Sequence, residues 1–128
     1  PPPPLEKTDS RHPINDPVYK DIDPSLLPSS ECLKDTYNRS IPYFQKMIEP
    51  EIKKGKKIIL SGHHNSLRAI IKYLDNISNV DIVNLNVPYC IPLVYEFDEN
   101  IKPIKHYYLA SDEEVEKVIE GIKNQTKK

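Results

Sequence analysis

The groups able to do chemistry gather in one stretch, Leu60-Ser61-Gly62-His63-His64-Asn65-Ser66-Leu67-Arg68. It leaves an apolar run, Ile58-Ile59-Leu60, and enters a segment whose apolar residues recur at helical spacing, so it crosses from an expected strand to an expected helix. Such a crossing is an anion-binding geometry. The first N–H groups of a helix have no intrahelical acceptor, and the helix dipole adds partial positive charge there. An imidazole at the C-terminal end of the strand projects into the crevice where open α/β sheets bind ligands. His63 is then placed to give a hydrogen bond or a positive charge to a phosphoryl oxygen, with Asn65 helping to orient it. Spacing alone fits an ordinary turn holding both histidines equally well.

Two other chemistries fit less well. Adjacent histidines rarely converge on one zinc ion. Completing a set with His12 or His106 would use no helical His-x-x-x-His pair, and Cys32 and Cys90 follow no ligand spacing. No metal is therefore expected. A serine nucleophile at Ser61 or Ser66 lacks the Gly-x-Ser-x-Gly elbow.

The elements that must position this stretch are readable in outline. Residues 1–29 show neither helical nor alternating period and are punctuated by Pro13, Pro17, Pro24 and Pro28. Their apolar groups, Leu5, Ile14, Val18, Tyr19, Ile22, Leu26 and Leu27, lead us to expect an ordered irregular excursion lying over the rest of the fold. Ser29 or Ser30 can cap a helix carrying Leu33, Tyr37, Ile41, Phe44, Ile48 and Ile52, about five to six turns long and bent or broken at Pro42 and Pro50. Gly55 stops it, and Lys56–Leu60 reads as a strand with Ile58, Ile59 and Leu60 buried. A helix opening near Asn65 or Ser66 would bury Leu67, Ile70, Ile71 and Leu74. A helical turn at Asp81–Leu85, a turn bracketed by Pro88 and Pro92, strands at Leu93–Phe97 and Ile104–Leu109 forming a hairpin, and a Ser111-capped helix with Val115, Val118, Ile119 and Ile122 on one face complete the chain. Alternating helices and strands give the α/β class.

Composition narrows the function classes. The 128 residues carry 18 basic and 19 acidic groups, well mixed, for a net charge of −1. A nucleic-acid footprint would gather its basic residues on one face, whereas the basic stretches here, Lys53–Lys57 and Lys127–Lys128, read as solvated helix ends. No apolar run approaches the ~18 residues of a membrane span, no secretory leader is recognisable, and a reduced, cytoplasmic compartment is expected. Four of the 13 prolines open the chain, which suggests a sequence entered in mid-protein.

At Ser61–Arg68 the chain resembles the second signature of the cofactor-dependent phosphoglycerate mutases of the histidine phosphatase superfamily, Ala-His-Gly-Asn-Ser-Leu-Arg. The opening prolines resemble the Pro-Pro-Pro that follows the family's Arg-Arg-Ser-Tyr-Asp. Leu27-Pro28-Ser29-Ser30-Glu31-Cys32-Leu33-Lys34-Asp35-Thr36 is similar to the family's Leu-Pro-x-x-Glu-x-Leu-Lys-Asp-Thr, and the likeness continues through Ile91–Asn100 and Pro103-Ile104-Lys105. The proline-rich lead and the Leu-Lys-Asp-Thr motif point to mutases rather than to the shorter phosphatases of the superfamily.

The resemblance implies that residues 1–128 are the C-terminal half of a single three-layer α/β/α domain, with 1–29 its irregular lead and 30–128 its helix and strand portion. It implies a glycolytic enzyme interconverting 3- and 2-phosphoglycerate through a phosphohistidine, primed by 2,3-bisphosphoglycerate, without metal, and built as a dimer or tetramer. The phosphorylated histidine, in an Arg-His-Gly motif, and a proton-moving glutamate would lie in the other half; Arg11-His12-Pro13 is no substitute. His63 would stabilise the phosphoryl group in transit, while His64, through its backbone N–H, and Asn65 would hold substrate oxygens. Three departures stand out: His64 replaces the signature's glycine, and Pro88-Tyr89-Cys90 replaces Pro-Thr-Gly. Either changed glycine position can demand a left-handed backbone. The added bulk keeps two other outcomes in view, a catalytically weakened binding or regulatory relative and a phosphatase or bisphosphoglycerate synthase.

Overall fold

The computed structural model describes residues 3–125; Pro1, Pro2 and Thr126–Lys128 lie outside that range. The lead is ordered by three short 3₁₀ turns, Pro13–Asn15, Pro17–Tyr19 and Pro24–Leu26. Each opens on a proline whose fixed φ suits a first helical position, and each is capped by the residue before it. His12 Nδ1 accepts from Ile14 N–H at 3.1 Å, Asp16 Oδ1 from Val18 at 2.9 Å and Asp23 Oδ1 from Ser25 at 2.8 Å. Leu5 N–H donates to Ser29 O at 2.9 Å and closes the lead on itself. The expectation that its apolar groups dock holds only in part: Leu5, Ile14 and Leu27 are half-buried, but Val18, Tyr19, Ile22 and Leu26 are exposed. Each turn satisfies its own i→i+3 bonds and splays its side chains, so no continuous apolar face forms to lie on the body.

The helical run starts at Leu33, later than the serines suggested. Cys32 is the N-cap, and its N–H is held by Asp35 Oδ2 at 2.9 Å. Helix α1 (Leu33–Tyr43) passes through Pro42 into a π turn, Phe44–Ile48, and resumes as α2 (Glu49–Lys53). The widened turn between the two prolines absorbs the donors and the space they cannot supply, so the run bulges without breaking. Gly55, at φ +80°, ends it: its N–H bonds Ile52 O at 2.8 Å and Lys56 N–H bonds Glu51 O at 3.2 Å.

Residues 56–62 form no strand. The expected burial is also overturned: Ile58 and Leu60 are exposed, and Ile59 is 97% exposed. An extended segment becomes a strand only when a neighbour takes its N–H and C=O groups, and among the described residues only β1 (Leu93–Phe97) and β2 (Pro103–Tyr108) pair. They form the expected antiparallel hairpin, in register Leu93↔Tyr108 through Phe97↔Pro103. Asp98 Oδ1 shapes its turn by accepting from Asn100 and Lys102 N–H at 2.8 and 2.9 Å.

Helix α3 (His64–Leu74) packs on α1. Ala69 and Ile71 are buried there, while Leu67, Ile70 and Leu74 are only half-buried. Phe44 meets Tyr73 edge-on, with centroids 6.1 Å apart. The Tyr73 hydroxyl donates to Glu49 Oε1 at 2.9 Å and accepts from Gln45 Nε2 at 3.0 Å, tying α3 to the bulged run. Ser111 caps helix α4 (Asp112–Gln125) as expected, in a reciprocal pair with Glu114, and Val115, Val118, Ile119 and Ile122 turn inward. No helix among the described residues is long and apolar enough to cross a membrane. Mixed helices with a small antiparallel sheet are compatible with the α/β class. A groove of about 610 Å³ is lined by Ile58, Ile59 and Leu60, by Leu67 and Ile70 of α3, and by Leu93, Tyr95 and Phe97 of β1.

Candidate functional site at the start of α3

Helix α3 begins at His64, one or two residues before the expected Asn65 or Ser66, because His63 is its cap. His63 has extended backbone, φ −62° and ψ 144°, and its Nδ1 accepts from Asn65 N–H at 3.3 Å. An acceptor at Nδ1 leaves the ring's proton on Nε2, so the exposed His63 carries a free N–H donor. The backbone N–H groups of the first turn open beside it without intrahelical acceptors.

His64 is half-buried and turned the other way. Its Nε2 accepts from Val87 N–H at 3.4 Å, and its ring lies 5.9 Å from that of Tyr89. Burial lowers its pKa first, the nearby Arg68 charge second, so its side chain is neutral near pH 7. Two of the departures from the signature thus touch each other, which spacing could not show. As the first helical residue, His64 needs no left-handed backbone. Cys90 does, at φ 58°. A non-glycine residue there costs roughly 1–2 kcal/mol, partly offset by the extra unfolded-state freedom a glycine brings. Cys90→Gly is therefore expected to stabilise the protein by about 0.5–1 kcal/mol, read as a rise in urea midpoint. Cys90→Ala, which keeps a Cβ, should give no such rise.

Asn65 completes the turn. Its Oδ1 accepts from one terminal nitrogen of Arg68 at 3.3 Å, and the other terminal nitrogen donates to Ile82 O at 2.7 Å. Ile82 belongs to the expected helical turn, here Asp81–Asn84. Arg68 stood in the motif without a role in the sequence reading. The signal was its i, i+3 spacing from Asn65, which puts both on one helix face. No carboxylate pairs with Arg68 among the described residues, and burial alone lowers its pKa.

The other histidines are committed elsewhere. His12 is buried in the lead, and His106 Nδ1 lies 3.4 Å from Asp75 Oδ1, beside the Tyr95 ring. Asp75 also accepts from the Tyr95 hydroxyl at 3.0 Å, and burial with that carboxylate pushes the phenol well above its ordinary range. Among the described residues no three His, Cys, Asp or Glu side chains are grouped to hold a metal ion. Ser61 is exposed and Ser66 half-buried.

A histidine-capped helix N-terminus in a mixed α/β chain is the site these residues define. The chain's curated relatives carry one name. The chain is 53% identical over 127 residues to the 2,3-bisphosphoglycerate-dependent phosphoglycerate mutase of Borreliella afzelii (strain PKo), across 99% of this chain and 51% of that protein. It is 51% identical, over the same shares, to the protein of that name from Borreliella burgdorferi (strain ZS7). The likeness read from the motifs is thereby shown: the chain is homologous to these mutases along nearly its whole length, and it spans about half the length of the curated relatives it matches. No family model matches it.

Proposed function

We propose that this chain is the C-terminal half of a 2,3-bisphosphoglycerate-dependent phosphoglycerate mutase, and that the assembled enzyme is this chain together with a complementary N-terminal half. The reaction is the interconversion of 3- and 2-phosphoglycerate through a phosphohistidine on that other half. The observation carrying this reading is the His63 cap, which keeps an N–H donor exposed beside the open amides of the α3 N-terminus. His63 stabilises the phosphoryl group in transit, and the His64 backbone N–H with the Asn65 carboxamide holds phosphate or carboxylate oxygens. The donor set fits a polyanionic cofactor, since the His63 ring N–H, the open α3 amides and the Asn65 carboxamide all offer hydrogen-bond donors there. When bound, 2,3-bisphosphoglycerate supplies the priming phosphoryl group.

The same reading makes residues 1–128 one half of a single three-layer α/β/α domain, with 1–29 as its irregular lead and 30–128 as its helix and strand portion. In its favour are residues 56–62 and the second edge of β1, neither of which pairs with a strand among the described residues, and the apolar groove that both line. Further strands from the complementary half would fill that groove and satisfy both edges. The reading also carries a cytoplasmic location, with which the unpaired Cys32 and Cys90 agree, and assembly as a dimer or tetramer.

The contact between His64 and Tyr89 favours a second reading, a relative whose pocket is narrowed for binding or regulation. One experiment separates these. The assembled enzyme is assayed for mutase and phosphatase turnover with 2,3-bisphosphoglycerate present. Mutase turnover should dominate. A larger phosphatase rate would move the reading to that branch of the superfamily, and saturable substrate binding without turnover would establish the binding relative.

A further inference from the structure

We propose that Arg68 is the positioning residue of this site, fixing the Asn65 carboxamide so that its Nδ2 N–H groups face the substrate anion. The inference rests on the reading that Asn65 binds substrate oxygens. A carboxamide offers an acceptor at one corner and two donors at the other, and the two corners are nearly the same shape. Left to rotate, Asn65 would present its oxygen to an anion as readily as its NH₂, and the oxygen repels.

Arg68 removes that freedom by its chemistry. A guanidinium has five donors, no acceptor, and stays charged at every relevant pH. Only Oδ1 can face it, because the flipped amide would set N–H against N–H. The 3.3 Å contact from Arg68 to Asn65 Oδ1 therefore settles which corner is left for substrate. The guanidinium cannot swing away to oblige a flip, since its other terminal nitrogen is anchored at 2.7 Å on the Ile82 carbonyl. Its Nε is buried with no hydrogen-bond partner, an arrangement that costs stability. With no carboxylate partner among the described residues, the charge is held here by a main-chain oxygen and by a side chain whose orientation matters to an anion.

The test is a double-mutant cycle in the assembled enzyme, read as KM and kcat for 3-phosphoglycerate. Arg68→Met should raise KM about tenfold with kcat within threefold, the loss of one aligned hydrogen bond to an anion. In an Asn65→Ala background the same change should move KM by less than twofold, since there is no amide left to orient. Equal KM shifts in both backgrounds would overturn the proposal, because Arg68 would then act on substrate directly or through the fold. If Asn65→Ala itself leaves KM unchanged, the role of Asn65 fails and this inference falls with it. Should Arg68→Met not fold, Arg68→Lys serves in the same cycle. One ammonium cannot hold both Asn65 Oδ1 and Ile82 O, so KM should rise at least threefold with Asn65 present and stay level without it; a level KM in both backgrounds would overturn the proposal.

Discussion

Replacing His63 by alanine is expected to lower the kcat of the assembled enzyme by about 10²–10³ while KM changes by only a few fold. The imidazole caps α3 through Nδ1 and keeps its Nε2 N–H free; in the proposed role that N–H meets an oxygen whose charge is greatest while the phosphoryl group is in flight. An interaction stronger in the transition state than in the ground state appears in kcat, not in KM. His63 is also the α3 cap, so its loss removes about 1 kcal/mol of stability as well. Asparagine separates the two effects, being a good N-cap without an imidazole. His63→Asn should recover the melting temperature of the parent and none of its turnover. Turnover of His63→Ala within about threefold of the parent, under 1 kcal/mol of transition-state stabilisation, would show the assigned role to be wrong.

What the sequence made legible was local. The hairpin, the Gly55 stop, the Ser111 cap and the inward face of α4 each depend on residues a few positions apart, and each stands as expected. The helix starts at Leu33 and His64 were misplaced by one to three residues because Cys32 and His63, weak cap candidates by type, do the capping. Lys56–Leu60 has the composition of a buried strand, but composition describes what a segment needs and cannot supply the neighbour that pairs with it. In the lead, the prolines correctly excluded helix. They gave no sign that each turn would close on its own preceding side chain and leave Val18 and Leu26 in solvent. At the site, the motif located His63 and Asn65, whereas the Arg68 anchor on Ile82 spans 14 residues and the His64 to Tyr89 contact spans 25, beyond any periodicity.

The isolated 128-residue chain is expected to show no mutase turnover and no cooperative unfolding, and to gain both when its complementary half is supplied. Turnover is lost because the covalent step needs a nucleophilic histidine on the absent half. Loss of stability follows from where the apolar surface lies. Exposed large apolar residues outnumber buried ones among the described residues, and Ile58, Ile59 and Leu60 stand together on a segment that pairs with no strand among them. Fully burying one such side chain contributes about 1.5–3 kcal/mol, so this segment alone leaves unmade a contribution comparable with much of a domain's net stability. The measurements are a urea transition followed by circular dichroism and a turnover assay, each made on the chain alone and after mixing with the complementary half. A sharp two-state transition of a soluble monomer would mean that the groove needs no partner. Turnover by the purified chain would place the nucleophile among His12, His63, His64 and His106, and of these only His63 has an exposed ring beside open helix amides.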